Sequence, residues 1–252
     1  MDKQFVLNHL HGYLGSFEDL IAKWSPEEET LVVMGNILDY GQNAYLVYNR
    51  LFELAQEFPD KVVFLKGRHE VFFEKFIKNP TLYAEEFLEN GGLSTLASFS
   101  TVGIPYEDLQ DDYLLIENYL KDIDFSAVEI YINQCQRFYE TESAVFISQE
   151  NRALQSVLKN EWFDFEDKSL FLSTGEDERF KTSYVSFYFS ETLERMNHEE
   201  GFLKGKINTS NVLPAAETTL AAENPFGYLP IITAYKIENG VIQETIESLA
   251  NN

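Results

Sequence analysis

A single cysteine, Cys135, stands among 252 residues. An internal disulfide is therefore excluded, and so is a metal cluster built on cysteines. Basic residues are also scarce, 19 Lys and Arg against 42 Asp and Glu, which leaves a formal net charge of −23. A chain this acidic lacks the basic face that phosphate-backbone binders use to release counterions, so no nucleic-acid partner is expected. An anionic membrane surface is disfavoured for the same reason. No stretch approaches the roughly 20 apolar residues of a membrane span, and Met1-Asp2-Lys3-Gln4 does not open a signal peptide. Repeats and low-complexity tracts are missing too. These absences together point to the cytoplasm.

What is present suits a folded protein: 44% apolar and 15% aromatic residues, enough to build a core. The length allows one large α/β domain or two small ones, and with no convincing linker the expectation is one domain, 1–252. Phe5-Val6-Leu7, Thr30 to Met34 and Lys61 to Leu65 read as buried strands. Between them, Leu14, Phe17, Leu20, Ile21 and Trp24, and then Ala44, Val47, Tyr48, Leu51, Leu54, Ala55 and Phe58, recur at helical spacing, with Pro59 closing the second stripe. Strands alternating with helices of this length imply a parallel sheet with crossover helices. The segment at about 79–125 reads as a helical, acidic insert. The second half turns strand-rich, at 138–148, 168–173, 183–190, 228–237 and 241–246, with Val185, Phe187 and Phe189 alternating with Tyr184, Ser186 and Tyr188. Segment 210–227 reads as a loop. Phe72, Phe73 and Phe76 read as a core-facing helix stripe, and Cys135 as an ordinary buried or half-buried thiol.

In a parallel sheet, chemistry gathers on the loops that follow the strands. Here they read His9-Leu10-His11-Gly12, Gly35-Asn36-Ile37-Leu38-Asp39-Tyr40-Gly41 and Gly67-Arg68-His69-Glu70. Three of the chain's four histidines lie in them; the fourth is His198. One histidine is more often structural than functional, but three on successive strand-end loops make a candidate site.

The order and spacing of these segments resemble the calcineurin-like metallophosphoesterases, in particular their bacterial Ser/Thr protein phosphatase and diadenosine-tetraphosphatase branch. That family carries D-x-H-G, G-D-x-x-D-R-G and G-N-H-E, each after a strand. Asn90-Gly91-Gly92-Leu93-Ser94-Thr95-Leu96 is similar to its N-G-G-x-x-T-L segment, Arg137 to Thr141 to the stretch before V-H-A-G, and Ile232 to Ile237 to its closing strand. The resemblance implies an α/β fold of two facing mixed β-sheets flanked by helices, a four-layer α/β/β/α sandwich. It also implies two divalent metals held by Asp, His, Asn and a bridging Asp, which generate a hydroxide and clamp a phosphate.

Position by position, most of those ligands are replaced. His9 stands where the first metal-binding Asp would be, Asn36 for the bridging Asp, and Arg68, a permanent cation, for the Asn ligand. Ser148 and Ser173 align with the two later histidine ligands, and Tyr40 with the phosphate-binding Arg. The adjacent ligand His11 is kept, as are His69 and Asp39, which match the family's orienting and proton-donating pair, and Glu70. Losing two carboxylates and gaining a guanidinium is the pattern of a site that has stopped holding a metal pair.

Three readings follow. In the first, the protein is a non-catalytic pseudophosphatase with a binding or regulatory role, no cofactor, vestigial catalytic positions His69 and Asp39, and an unknown protein partner or phosphorylated ligand. In the second, it is a divergent phosphoesterase with a rebuilt single-metal site for Mn, Fe or Zn, on His9 and His11 with His69 and Asp39 or Asn36. The alternative for those histidines is that they hydrogen-bond Asp39 and loop carbonyls. In the third, Arg68, His11 and His69 bind a phosphate, a nucleotide or another anion without turnover, against the alternative that Arg68 pairs with Asp39 or Glu70. The negative charge lies away from the loops, much of it at 105–124 and 161–178, and reads as a surface property.

Overall fold

A computed structural model describes residues 2–100, 123–148, 170–177, 182–189 and 231–249 of the chain. The first half alternates as expected: β1 (Lys3–Asn8), α1 (Leu14–Ile21), β2 (Thr30–Val33), α2 (Ala44–Glu57), β3 (Val62–Phe64) and α3 (Arg68–Lys78). Two short helices follow, α4 (Pro80–Glu89) and α5 (Gly92–Phe99), then α6 (Ser126–Gln134). The remaining strands are β4 (Phe138–Glu140), β5 (Ala144–Ser148), β6 (Leu170–Asp177), β7 (Thr182–Phe189), β8 (Ile231–Glu238) and β9 (Val241–Leu249). The acidic stretch through 101–122 and the loop at 210–227 lie outside the described residues.

The strands form a five-stranded mixed sheet, ordered β3-β2-β1-β8-β9, and a four-stranded sheet, β4-β5-β6-β7. In the first, β1, β2 and β3 are mutually parallel, and β8 and β9 close the far edge antiparallel. In the second, β5 and β6 are parallel and the outer pairs antiparallel. The expected strand 138–148 is two strands. Thr141 folds the chain back, its backbone N–H donating to the Ala144 carbonyl and its hydroxyl accepting from the Ala144 N–H, so a hairpin turn falls in the polar run Glu140-Thr141-Glu142-Ser143.

The period of two along each strand sorts residues between two cores. Phe5, Leu7, Leu31, Val33, Phe64, Ile232 and Ala234 face the helices, where Phe17, Leu20, Val47, Leu51, Phe73 and Phe76 pack against them. Their neighbours Val6, Val32, Val63, Tyr235 and Ile237 face the second sheet, meeting Ala144 and Phe146 of β5. The described residues thus build helices, a mixed sheet and a second sheet, in that order. At roughly 25 cal/mol per Å² of apolar surface, this two-faced burial is the main source of stability. Phe72, Phe73 and Phe76 are core residues, as their spacing predicts, and Cys135 is half-buried.

Candidate functional site

Because β1, β2 and β3 are adjacent and parallel, their carboxyl ends lie side by side and the three loops must converge. Backbone hydrogen bonds stitch the first two: His11 N–H to the Asn36 carbonyl at 2.9 Å, and Asn43 N–H to the Gly12 carbonyl at 3.1 Å. The chain bends sharply to do this. His9, His11, Asn36, Asp39 and Tyr40 all adopt positive φ, between 44° and 70°. Among the described residues only Asp60 and Asn239 join them outside glycine, so left-handed backbone is concentrated here. Each such residue costs on the order of 1 kcal/mol, less for Asn and Asp, so the surrounding contacts must hold the loops in place.

Glu70 supplies much of that hold. Its carboxylate is fully buried and accepts three backbone N–H groups, from Asn36 at 2.7 Å, Ile37 at 2.8 Å and Gly67 at 2.9 Å, tying the second loop to the start of α3. Burial pushes this carboxyl up, while the Asn36 and Ile37 donors pull it back toward the ionised form. The close approach requires glycine. A Cβ on Gly67 would lie 2.4 Å from the Asn36 nitrogen and 2.6 Å from Glu70 Oε2. One on Gly35, itself at φ +77°, would lie 2.3 Å from the Gly67 nitrogen.

Asp39 and His69 meet in the folded chain. The His69 Nδ1 lies 2.6 Å from Asp39 Oδ2, with both side chains fully buried. Thr95 of α5 completes the arrangement: its hydroxyl donates to Asp39 Oδ1 at 2.6 Å and accepts the Asp39 N–H at 2.8 Å. Residue-by-residue reading misses this role, although Thr95 lies in the N-G-G-x-x-T-L segment. His11 turns its Nδ1 to the Leu38 carbonyl at 3.0 Å. His9 Nδ1 sits 3.2 Å from the Asn36 amide nitrogen, whose partner oxygen accepts the His69 N–H at 3.2 Å.

The rings pack into one aromatic cluster. His11 lies edge-on to His69, with centroids 4.7 Å apart, and edge-on to Tyr40 at 5.0 Å; it stacks on His9 at 5.5 Å. Arg68 is the first residue of α3, half-buried, with its guanidinium 4.8 Å from the Phe72 ring centroid. Ser148 is buried at the end of β5, and Ser173 lies in β6 one register step away, opposite Ile147. Behind Glu70, burial first and the Glu70 charge second push the Cys135 thiol well above its ordinary value, so it is a poor nucleophile. Among the described residues, no three His, Cys, Asp or Glu side chains converge as a metal-binding group, and no helix is long and apolar enough to cross a membrane.

No protein-family model matches the chain, and no curated protein does either. A solved structure described as "Crystal structure of a putative diadenosine tetraphosphatase" is similar at 12% identity, over 98% of this chain and 93% of its own, with a TM-score of 0.44.

Proposed function

We propose that this chain is a metallophosphoesterase-like protein without phosphatase activity, whose three-loop site binds rather than hydrolyses. The observation that carries this is the state of its carboxylates. All four oxygens of Asp39 and Glu70 already accept hydrogen bonds, from His69, Thr95 and three backbone N–H groups. A pair of divalent cations needs several anionic oxygens turned toward it. The remaining side chains at the matching positions are an imidazole, a carboxamide and a guanidinium, which contribute no negative charge. The donor set therefore does not fit a dimetal centre.

The test is hydrolysis of a generic aryl phosphate by the purified chain with and without Mn²⁺. We expect no turnover above background, and robust Mn²⁺-dependent turnover would overturn the reading. Metal analysis of untagged protein addresses the single-metal alternative on His9, His11 and Asn36. Stoichiometric Mn, Fe or Zn would favour it.

A second reading is supported by Arg68. Its guanidinium is steadied by Phe72 at the first turn of α3, where the helix dipole favours an anion, and His11 and His69 lie in the same loop cluster. A phosphorylated ligand or partner is the chemistry such a donor set recognises. Thermal-shift titration with inorganic phosphate and with nucleotides tests it, and no stabilisation at millimolar ligand would remove it. On the same reading the outer face of the second sheet is covered by helices, completing a four-layer sandwich, and the protein works in the cytoplasm.

A further inference from the structure

We infer that Asn36 is a positioning residue that fixes which nitrogen of His9 carries the proton and thereby withholds His9 from metal ligation. The inference deepens the non-catalytic reading, since it names a residue that keeps the loops from presenting a ligand set, but it stands on different atoms.

It follows from what each group can and cannot do. The His69 backbone N–H can only donate, and it points at one end of the Asn36 carboxamide from 3.2 Å. That end must be the oxygen, so the amide nitrogen is the other end, 3.2 Å from His9 Nδ1. An amide nitrogen can only donate. His9 Nδ1 must therefore accept, and a neutral imidazole that accepts at Nδ1 carries its proton on Nε2.

The other two histidines take the opposite form. His11 Nδ1 faces the Leu38 carbonyl and His69 Nδ1 faces the Asp39 carboxylate. Both partners are acceptors, so both Nδ1 atoms carry hydrogen, and in the neutral form both rings leave a lone pair on Nε2. Three histidines in one cluster thus divide two against one, and the one is set by an amide.

The Asn36 backbone is itself held at both its N–H and its carbonyl. Its backbone N–H donates to Glu70 Oε2 at 2.7 Å, and its carbonyl accepts the His11 N–H at 2.9 Å. The left-handed conformation there, φ 53°, would suit aspartate as well as asparagine. Backbone geometry therefore does not dictate the amide, whereas the proton on His9 does. An aspartate oxygen at the same place would draw the hydrogen to Nδ1 and leave the Nε2 lone pair for a metal. With asparagine, the only lone pair of His9 is committed to Asn36 Nδ2.

The experiment is long-range ¹H–¹⁵N correlation on the full chain labelled with ¹⁵N-histidine, above the imidazole titration range. The four histidines are assigned by loss of signals in His9→Gln, His11→Gln and His69→Gln. We expect His9 protonated at Nε2, with His11 and His69 protonated at Nδ1. In Asn36→Asp the His9 proton should move to Nδ1, in protein shown by circular dichroism to be folded. Wild-type His9 protonated at Nδ1 would overturn the inference, as would an unchanged His9 in folded Asn36→Asp. If that variant does not fold, the wild-type spectrum decides alone. Metal-dependent turnover with His9 still protonated at Nε2 would remove the non-catalytic reading and leave the role of Asn36 standing.

Discussion

Replacing Thr95 by valine would separate the two halves of the buried Asp39 arrangement without changing its shape. Valine is nearly isosteric, so no cavity forms, and only the hydroxyl is lost. That hydroxyl makes two bonds to a fully buried partner, donating to Asp39 Oδ1 at 2.6 Å and accepting the Asp39 N–H at 2.8 Å. A hydrogen bond to a carboxylate contributes about 1.5–3 kcal/mol, and a stranded buried N–H costs about 1–3 kcal/mol. With partial relaxation, the expected loss is about 3 kcal/mol, which for a domain of this size lowers Tm by about 6–12 °C. Urea denaturation followed by circular dichroism reads the first quantity and calorimetry the second. Thr95→Ser keeps both bonds and should lose only about 1 kcal/mol, for the buried methyl. A Thr95→Val protein less than about 1 kcal/mol weaker than wild type would refute the reasoning, because two buried polar bonds cannot vanish at so small a cost.

Glu70→Gln should destabilise by about 2–4 kcal/mol in the same denaturation assay, because one amide oxygen cannot serve three N–H donors and the amide NH₂ faces one of them; a neutral outcome would mean that burial already keeps Glu70 protonated. Gly67→Ala should cost about 3 kcal/mol or more, since its Cβ would press on the Asn36 backbone at 2.4 Å, and a wild-type Tm would contradict the tight packing of the second and third loops. Glu74 has its carboxyl held below the ordinary 4.5 by hydrogen bonds from Lys66 and Lys78. Its folded-state value is depressed, so its contribution is full above the unfolded value and fades as pH falls through the folded one. Glu74→Gln should therefore lose under about 1 kcal/mol at neutral pH, and the difference from wild type should close in acid; a difference that grew in acid would reverse the sign.

Much of the architecture is legible before any coordinates. The apolar runs at β1, β2 and β3 and the stripes at α1 and α2 are local patterns, and burial imposes their periods directly. The period of two sends Phe5 and Leu7 to the helices and Val6 to the second sheet, a division that the unbroken apolar run Phe5-Val6-Leu7 does not itself mark. The polar run Glu140-Thr141-Glu142-Ser143 marks the hairpin between β4 and β5, which the expectation of one strand over 138–148 passes over, and hydrogen bonds of Thr141 with Ala144 close its turn. The meeting of His9, His11 and His69 is foreseeable from parallel strands alone, since their loops must share one end of the sheet. Which of them hydrogen-bonds a carboxylate, a carbonyl or an amide is not.

The sequence by itself determined an acidic α/β chain with no internal disulfide, a parallel strand–helix beginning, and three histidine- and glycine-bearing loops. Only the tertiary structure decided that Glu70 caps the loops, that Thr95 holds Asp39, and that an asparagine sets the His9 proton. The physical reason is distance along the chain. Periodicity is written between residues two to four apart, whereas Thr95 is 56 residues from Asp39 and Glu70 is 34 from Asn36. Hydrogen bonds of that range depend on where folding brings a donor and an acceptor to within 3 Å, and no local pattern records it.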